Sequence, residues 1–228
     1  MAKAALRASC SCDTCQREWC RREILRFFLF KTAAVRRGIK PGEILRIRHC
    51  YSNQKQNGNL FCLKCEEILR ILELDYVELK HDPESSLILF YHPGTMRITL
   101  RKPENLRVLK QYGYPAASDP AILIDVLISR FRYSGSFPHE VGIFIGYPAK
   151  DVIGFIEKGS RTLIYQGMWA VFGETGESLF LMNLYRQMER VAKNMLDISD
   201  DPHSFFDRLA GFMLDDKTLA HLNSVLFH

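Results

Sequence analysis

Two apolar runs limit what this chain can fold into more than anything else in it. Tyr76-Val77-Glu78-Leu79 and Leu87-Ile88-Leu89-Phe90-Tyr91 are separated by His81-Asp82-Pro83-Glu84-Ser85 and closed by Pro93-Gly94. Short β-branched and aromatic runs on either side of a turn-forming segment read as a β-hairpin. A lone hairpin is marginal in water, and strands this apolar need cover. The rest of the chain supplies it mainly as helical pattern, expected at about 18–37, 63–74, 94–100, 103–112, 120–133, 151–158, 174–195, 202–213 and 215–226. A polar loop spans 52–59. Val141 to Ile145 reads as a further buried strand, and 162–166 with 168–172 as a strand pair. The fold class expected is α+β: a single mixed α/β domain with a small sheet flanked by helices, plus helical N- and C-terminal extensions. Its expected limits are 1–42 for a basic, Cys-rich helical extension, 43–196 for the domain, and 197–228 for a C-terminal helical addition. At 228 residues, the chain can bury a core without disulfides.

A short echo punctuates the middle. Gly113-Tyr114-Pro115 precedes Asp119-Pro120, and Gly146-Tyr147-Pro148 precedes Asp151. An apolar helical pattern starts after each Asp. A carboxylate at the N-cap accepts free backbone N–H groups, and proline is tolerated at the first helical position. The echo therefore reads as one helix-starting device used twice.

Charge is unevenly spread. Twelve basic and four acidic residues fall in positions 1–50, so that segment carries +8 of a total of +5, and the remaining 178 residues carry −3. A basic helix with Phe27, Phe28 and Phe30 at its centre can lie on an acidic surface or a protein partner, can serve as an arm for nucleic acid, or can pack its aromatics onto the domain. The run Ile24 to Phe30 is too short for a membrane span and is interrupted by Arg26, and no secretory leader is evident, so no transmembrane segment is expected. Seven cysteines, an odd number, fit free thiols or metal ligands in a reducing cytoplasm better than a disulfide frame.

The densest chemistry in the sequence is Cys10-x-Cys12-x2-Cys15-x4-Cys20, with a second pair at Cys62-x2-Cys65. Four thiolates converging on one point suit zinc or an iron–sulfur centre. Cys12, Cys15, Cys62 and Cys65 offer a set drawn from separate segments, while unliganded thiols are the plainer reading. His139-Glu140 offers an imidazole that titrates near neutrality beside a carboxylate, a pair suited to general acid–base work. On a regular strand the two would point to opposite faces, and bonds to backbone at the strand entry are the plainer role. No phosphate loop, dinucleotide fingerprint or nucleophile elbow is present. Trp169 and Phe172 read as core rather than as a platform for bases.

Several segments resemble one bacterial family, the domain-of-unknown-function family numbered 3793. They are Arg48-His49-Cys50, Gly58-Asn59-Leu60-Phe61, Lys110-Gln111-Tyr112-Gly113-Tyr114-Pro115, and Gly167 to Gly173. The longest is Phe137-Pro138-His139-Glu140-Val141-Gly142-Ile143-Phe144-Ile145-Gly146-Tyr147-Pro148 with Asp151 to Ile156. The likeness runs from about Ile44 to Met195. It implies one cytoplasmic domain and carries no activity with it. The functional expectation is a non-enzymatic accessory or interaction protein, with metal binding through the N-terminal cysteines as its sharper form. An enzyme with a pocket around His139, Glu140 and the Gly-Tyr-Pro turns is the first alternative. Nucleic-acid binding through the first fifty residues is the second.

Overall fold

The structure is a computed structural model that describes residues 18–48, 71–116, 119–157, 162–199 and 201–227. A long helix, α1 (Glu18–Arg36), leads into strand β1 (Gly42–Arg48). Strands β2 (Asp75–Asp82) and β3 (Ser85–Tyr91) follow. Helices α2 (Pro93–Arg101), α3 (Pro103–Gln111), α4 (Pro120–Tyr133), α5 (Val141–Phe144) and α6 (Ala149–Ile156) come next. A two-stranded ribbon, β4 (Leu163–Gln166) with β5 (Ala170–Phe172), precedes α7 (Gly176–Ile198), α8 (Pro202–Gly211) and α9 (Asp216–Phe227). The molecule is a mixed α+β structure with a small antiparallel sheet, as the sequence leads one to expect.

The main sheet has the order β1-β3-β2, all antiparallel. Its middle strand is the expected apolar run. Side chains alternate across a strand, and here both faces are covered. Ile88 and Phe90 enter one core with Leu45 and Ile47 of β1, joined by α1, α7, α8 and α9. Leu87 and Leu89 enter the other with α2 to α6. The hairpin turns over Pro83 and Glu84, and β2 is irregular between Glu78 and Lys80.

Proline sets several helix starts. Pro93, Pro103, Pro120 and Pro202 each occupy a first-turn position, where the missing N–H costs nothing. Asp119 caps α4 as expected, accepting from the Ala121 N–H at 3.0 Å. Helix α1 packs against α7, and Phe28, Leu29, Ala33 and Ala34 are buried in the first core. The part of the proposed N-terminal extension from residue 28 onward is thus built into the sheet's cover.

Two expectations need correction. The run 141–145 is helix α5 and its exit, not a strand. Backbone bonds Val141→Pro138, Gly142→His139 and Ile143→Glu140 wind it up from the preceding turn, and Ile145 N–H donates back to the Val141 carbonyl. A short apolar run is ambiguous between a buried strand and a buried helical turn, and the i→i+3 bonds decide it. Asp151 does not cap its helix either, because α6 begins two residues earlier, at Ala149. Strand β1, by contrast, has no counterpart among the elements expected from the sequence. The loop expected at 52–59 and the helix expected at 63–74 lie outside the described residues except for 71–74, where 71 and 72 are helical and 73 and 74 are not.

Candidate functional site

A cleft of about 380 Å³ opens where the two halves of the molecule meet. Helices α2 and α3 form one side, the Gly146-Tyr147-Pro148 turn and α6 the second, and α7 with the end of α9 the third. Gly146 holds φ at +82°, a conformation that suits glycine. A Cβ there would lie 2.6 Å from the Tyr185 hydroxyl and 2.7 Å from Pro41 Cδ. The turn therefore presses directly on Pro41 and on α7, and the Tyr185 hydroxyl donates to the Gly146 carbonyl at 3.3 Å. Tyr147, next in the chain, stacks on Trp169 with ring centroids 4.4 Å apart and planes 22° apart. It touches both cores.

Beneath this wall lies a saturated polar hub. Asp151, 2% exposed, accepts from Trp169 Nε1 at 2.8 Å, the Phe172 N–H at 2.9 Å, Ser178 Oγ at 2.6 Å and Lys150 Nζ at 2.8 Å. Lys150 also donates to the Phe172 carbonyl at 3.2 Å and to Ser178 Oγ at 2.8 Å. A buried carboxylate with this many donors ties α6, β5 and α7 together at one point. Gly154, one turn along α6, leaves the space that the Phe172 ring fills, since a Cβ there would sit 2.4 Å from it.

The ionisable groups at the cleft respond to this packing. Burial pushes the Tyr147 hydroxyl up to about 12, helped by the charge of Glu43. Burial also raises Tyr185, reinforced by Tyr147, Glu43 and Glu177. Both phenols stay protonated through the neutral range. Burial raises the Glu177 carboxyl as well.

His139 and Glu140 are not brought together. Glu140 is 2% exposed, where it accepts from the Tyr114 hydroxyl at 3.2 Å and from Arg130 Nε. Its partners are side chains rather than the backbone groups expected. Burial and the neighbouring Glu140 raise the Tyr114 hydroxyl. His139 is exposed, its ring 5.6 Å from Phe137 and 5.0 Å from Phe155. Neither residue lines the cleft, although the second Gly-Tyr-Pro turn does. Trp169 and Phe172 are buried, as core residues should be.

Cys10, Cys12, Cys15, Cys62 and Cys65 lie outside the described residues. Cys20 falls on the α1 backbone. Among the described residues, no three His, Cys, Asp or Glu side chains are grouped to hold a metal. The cations of α1 whose side chains are described, and Arg37 just after it, have partners within the chain. Arg26 donates to the Leu196 carbonyl at 2.7 Å and pairs with Asp197 at 3.0 Å; Lys31 pairs with Glu189 at 2.8 Å. Arg36 donates to the Leu72 carbonyl at 2.6 Å and pairs with Glu73 at 2.8 Å; Arg37 donates to the Phe212 carbonyl at 3.0 Å. Cations at the carbonyl ends of α7 and α8 suit the negative pole of each helix. Among the described residues, no helix is long and apolar enough to cross a membrane.

The fold and cleft define a mixed α+β structure with a concave site bounded by the Gly146 turn and backed by a buried carboxylate hub. The chain belongs to the family described as "Protein of unknown function (DUF3793)", whose model matches residues 28–205. That span takes in part of α1 and α8, and is wider than the stretch from Ile44 to Met195 that the sequence motifs suggest. No curated protein and no solved structure matches the chain.

Proposed function

We propose that this protein is a non-enzymatic accessory protein that works by binding a small molecule in the cleft between α3, α6 and α7. The observation that carries the reading is the state of the polar groups there. Lys150, Asp151 and Ser178 satisfy one another and the neighbouring backbone. A general base or nucleophile needs a free lone pair within reach of substrate; the hub offers none, and Glu177, which lines the cleft, has no imidazole, hydroxyl or thiol bonded to it among the described residues to form a catalytic pair. The cleft volume of about 380 Å³ lies in the range of small-molecule sites, and Val108, Ile153 and Leu181 give it an apolar lining. Its setting in this proposal is the cytoplasm, which seven cysteines, an odd number, suit better as free thiols than as a disulfide frame.

A fragment screen by ligand-observed NMR tests it. Fragments that bind the wild-type chain are expected to lose their signal with Ile153→Trp, which fills the cleft from its half-buried wall, while circular dichroism shows the fold retained. Fragments that bind the folded variant equally well, or an absence of any binder to the wild-type chain, would overturn the proposal.

A further inference from the structure

The charges around the cleft are unequally matched. Lys150 is engaged by Asp151, Ser178 and the Phe172 carbonyl. Lys102 donates to the Val225 carbonyl and stands 4.0 Å from Glu104. Arg107 lies on the rim, exposed to water, where a guanidinium demands no partner. Glu177 differs from all of these. It lines the cleft, it is half-buried, and no hydrogen bond or ion pair reaches it from the described residues.

The position of Glu177 in the first turn of α7 gives one reason for an acid there, since the helix N-terminus favours negative charge. That reason does not require burial, because a solvated carboxylate would serve the dipole equally well. Half-burial without a partner carries a desolvation penalty, and its mark is the raised carboxyl. Burial is the largest cause, Glu104 and Asp151 push the same way, and Lys102 and Lys150 oppose them. The two lysines near enough to matter already have closer partners, so the carboxylate retains acceptor capacity on the side of the cavity.

We infer that the ligand of this cleft carries an ammonium group that pairs with Glu177 while its apolar body lies against Tyr147, Ile153 and Leu181. The inference rests on the cleft being a ligand site and adds the chemical class, a primary amine with an apolar or aromatic body. A charge-assisted bond to a partly desolvated carboxylate is stronger than its neutral counterpart. A carboxylate-bearing ligand of the same shape would meet Glu177 and Glu104 as like charges and could gain only from Arg107 at the exposed rim, since Lys102 and Lys150 are already engaged.

Three probes of similar shape separate the possibilities: phenethylamine, 3-phenylpropionate and benzyl alcohol, titrated by NMR into the full-length chain and into Glu177→Gln at neutral pH. For wild type, phenethylamine is expected to bind about tenfold more tightly than 3-phenylpropionate, the size of one charge-assisted contact. In Glu177→Gln that preference disappears while benzyl alcohol binding is unchanged, which also shows that the variant is folded. If benzyl alcohol binds but the amine holds no advantage, or if Glu177→Gln keeps it, the ammonium inference is wrong and the cleft reading stands. If none of the three binds at millimolar concentration, the ammonium inference is wrong, and the fragment screen alone decides the cleft reading.

Discussion

The two Gly-Tyr-Pro turns share a backbone and differ in everything built on it. Gly113 and Gly146 hold φ at +81° and +82°, each just after a helix, and each is followed by a tyrosine with a raised hydroxyl. Around Gly113 there is open space, whereas Gly146 is pressed against Tyr185 and Pro41. Tyr114 turns inward and donates to Glu140, which is held by Arg130 at the surface. Tyr147 lies flat on Trp169, which is held by the deeply buried Asp151. One turn closes a helix end. The other forms the wall of a cavity. A local motif specifies a conformation, and the neighbours it meets decide its use.

That contrast can be broken by experiment. The largest effect is expected at the two buried acids. Asp151→Ala would strand the Trp169, Phe172 and Ser178 donors and leave Lys150 uncompensated, costing about 3–5 kcal/mol. Glu140→Ala frees a guanidinium that can turn to water, and should cost less, on the order of 1–3 kcal/mol. Equal losses in urea denaturation would erase the distinction between the two hubs. The next test is at the glycines. Gly113→Ala should cost only the left-handed backbone strain, about 1–2 kcal/mol. Gly146→Ala adds overpacking against Tyr185 and Pro41, for a total of about 2–4 kcal/mol. A larger loss at Gly113 in calorimetric unfolding would reverse the assignment. The smallest effects sharpen the tyrosines. Tyr114→Phe removes a buried hydrogen bond worth about 1 kcal/mol. Among the described residues the Tyr147 hydroxyl has no bonding partner, so Tyr147→Phe should shift the denaturation midpoint by less than about 0.5 kcal/mol equivalent.

Features that depend on near neighbours were legible in the sequence. The β2–β3 hairpin, the proline-started helices and the Asp119 cap each follow from a few adjacent residues. Strand β1 shows an alternation in Leu45-Arg46-Ile47-Arg48, but the run is short and follows directly on a basic helix, so it stands out only once β3 supplies its partner. Helix α5 reads as a strand from its sequence because so short an apolar run has too little length to show a period. The basic character of α1 suggested an outside partner. A charge count cannot reveal that Arg26 and Arg37 sit at the carbonyl ends of helices more than 150 residues away. Asp151 looked like a cap because its place in the chain fits one, and only the approach of β5 and α7 shows its other role. Glu177 gave no signal at all, since first-turn acids are common and burial is not written in the residue itself.

The packing of α1 against α7 sets a timetable for synthesis. Lys31 and Glu189 meet across 158 residues of chain, and Phe28 and Leu29 are nearly water-free only once that meeting has occurred. At ribosomal speeds the first helix emerges roughly ten to thirty seconds before its partner. Throughout that interval Phe28 can reach Phe90 of β3 but not α7, so the first core stays open on one side until the last third of the chain has been made.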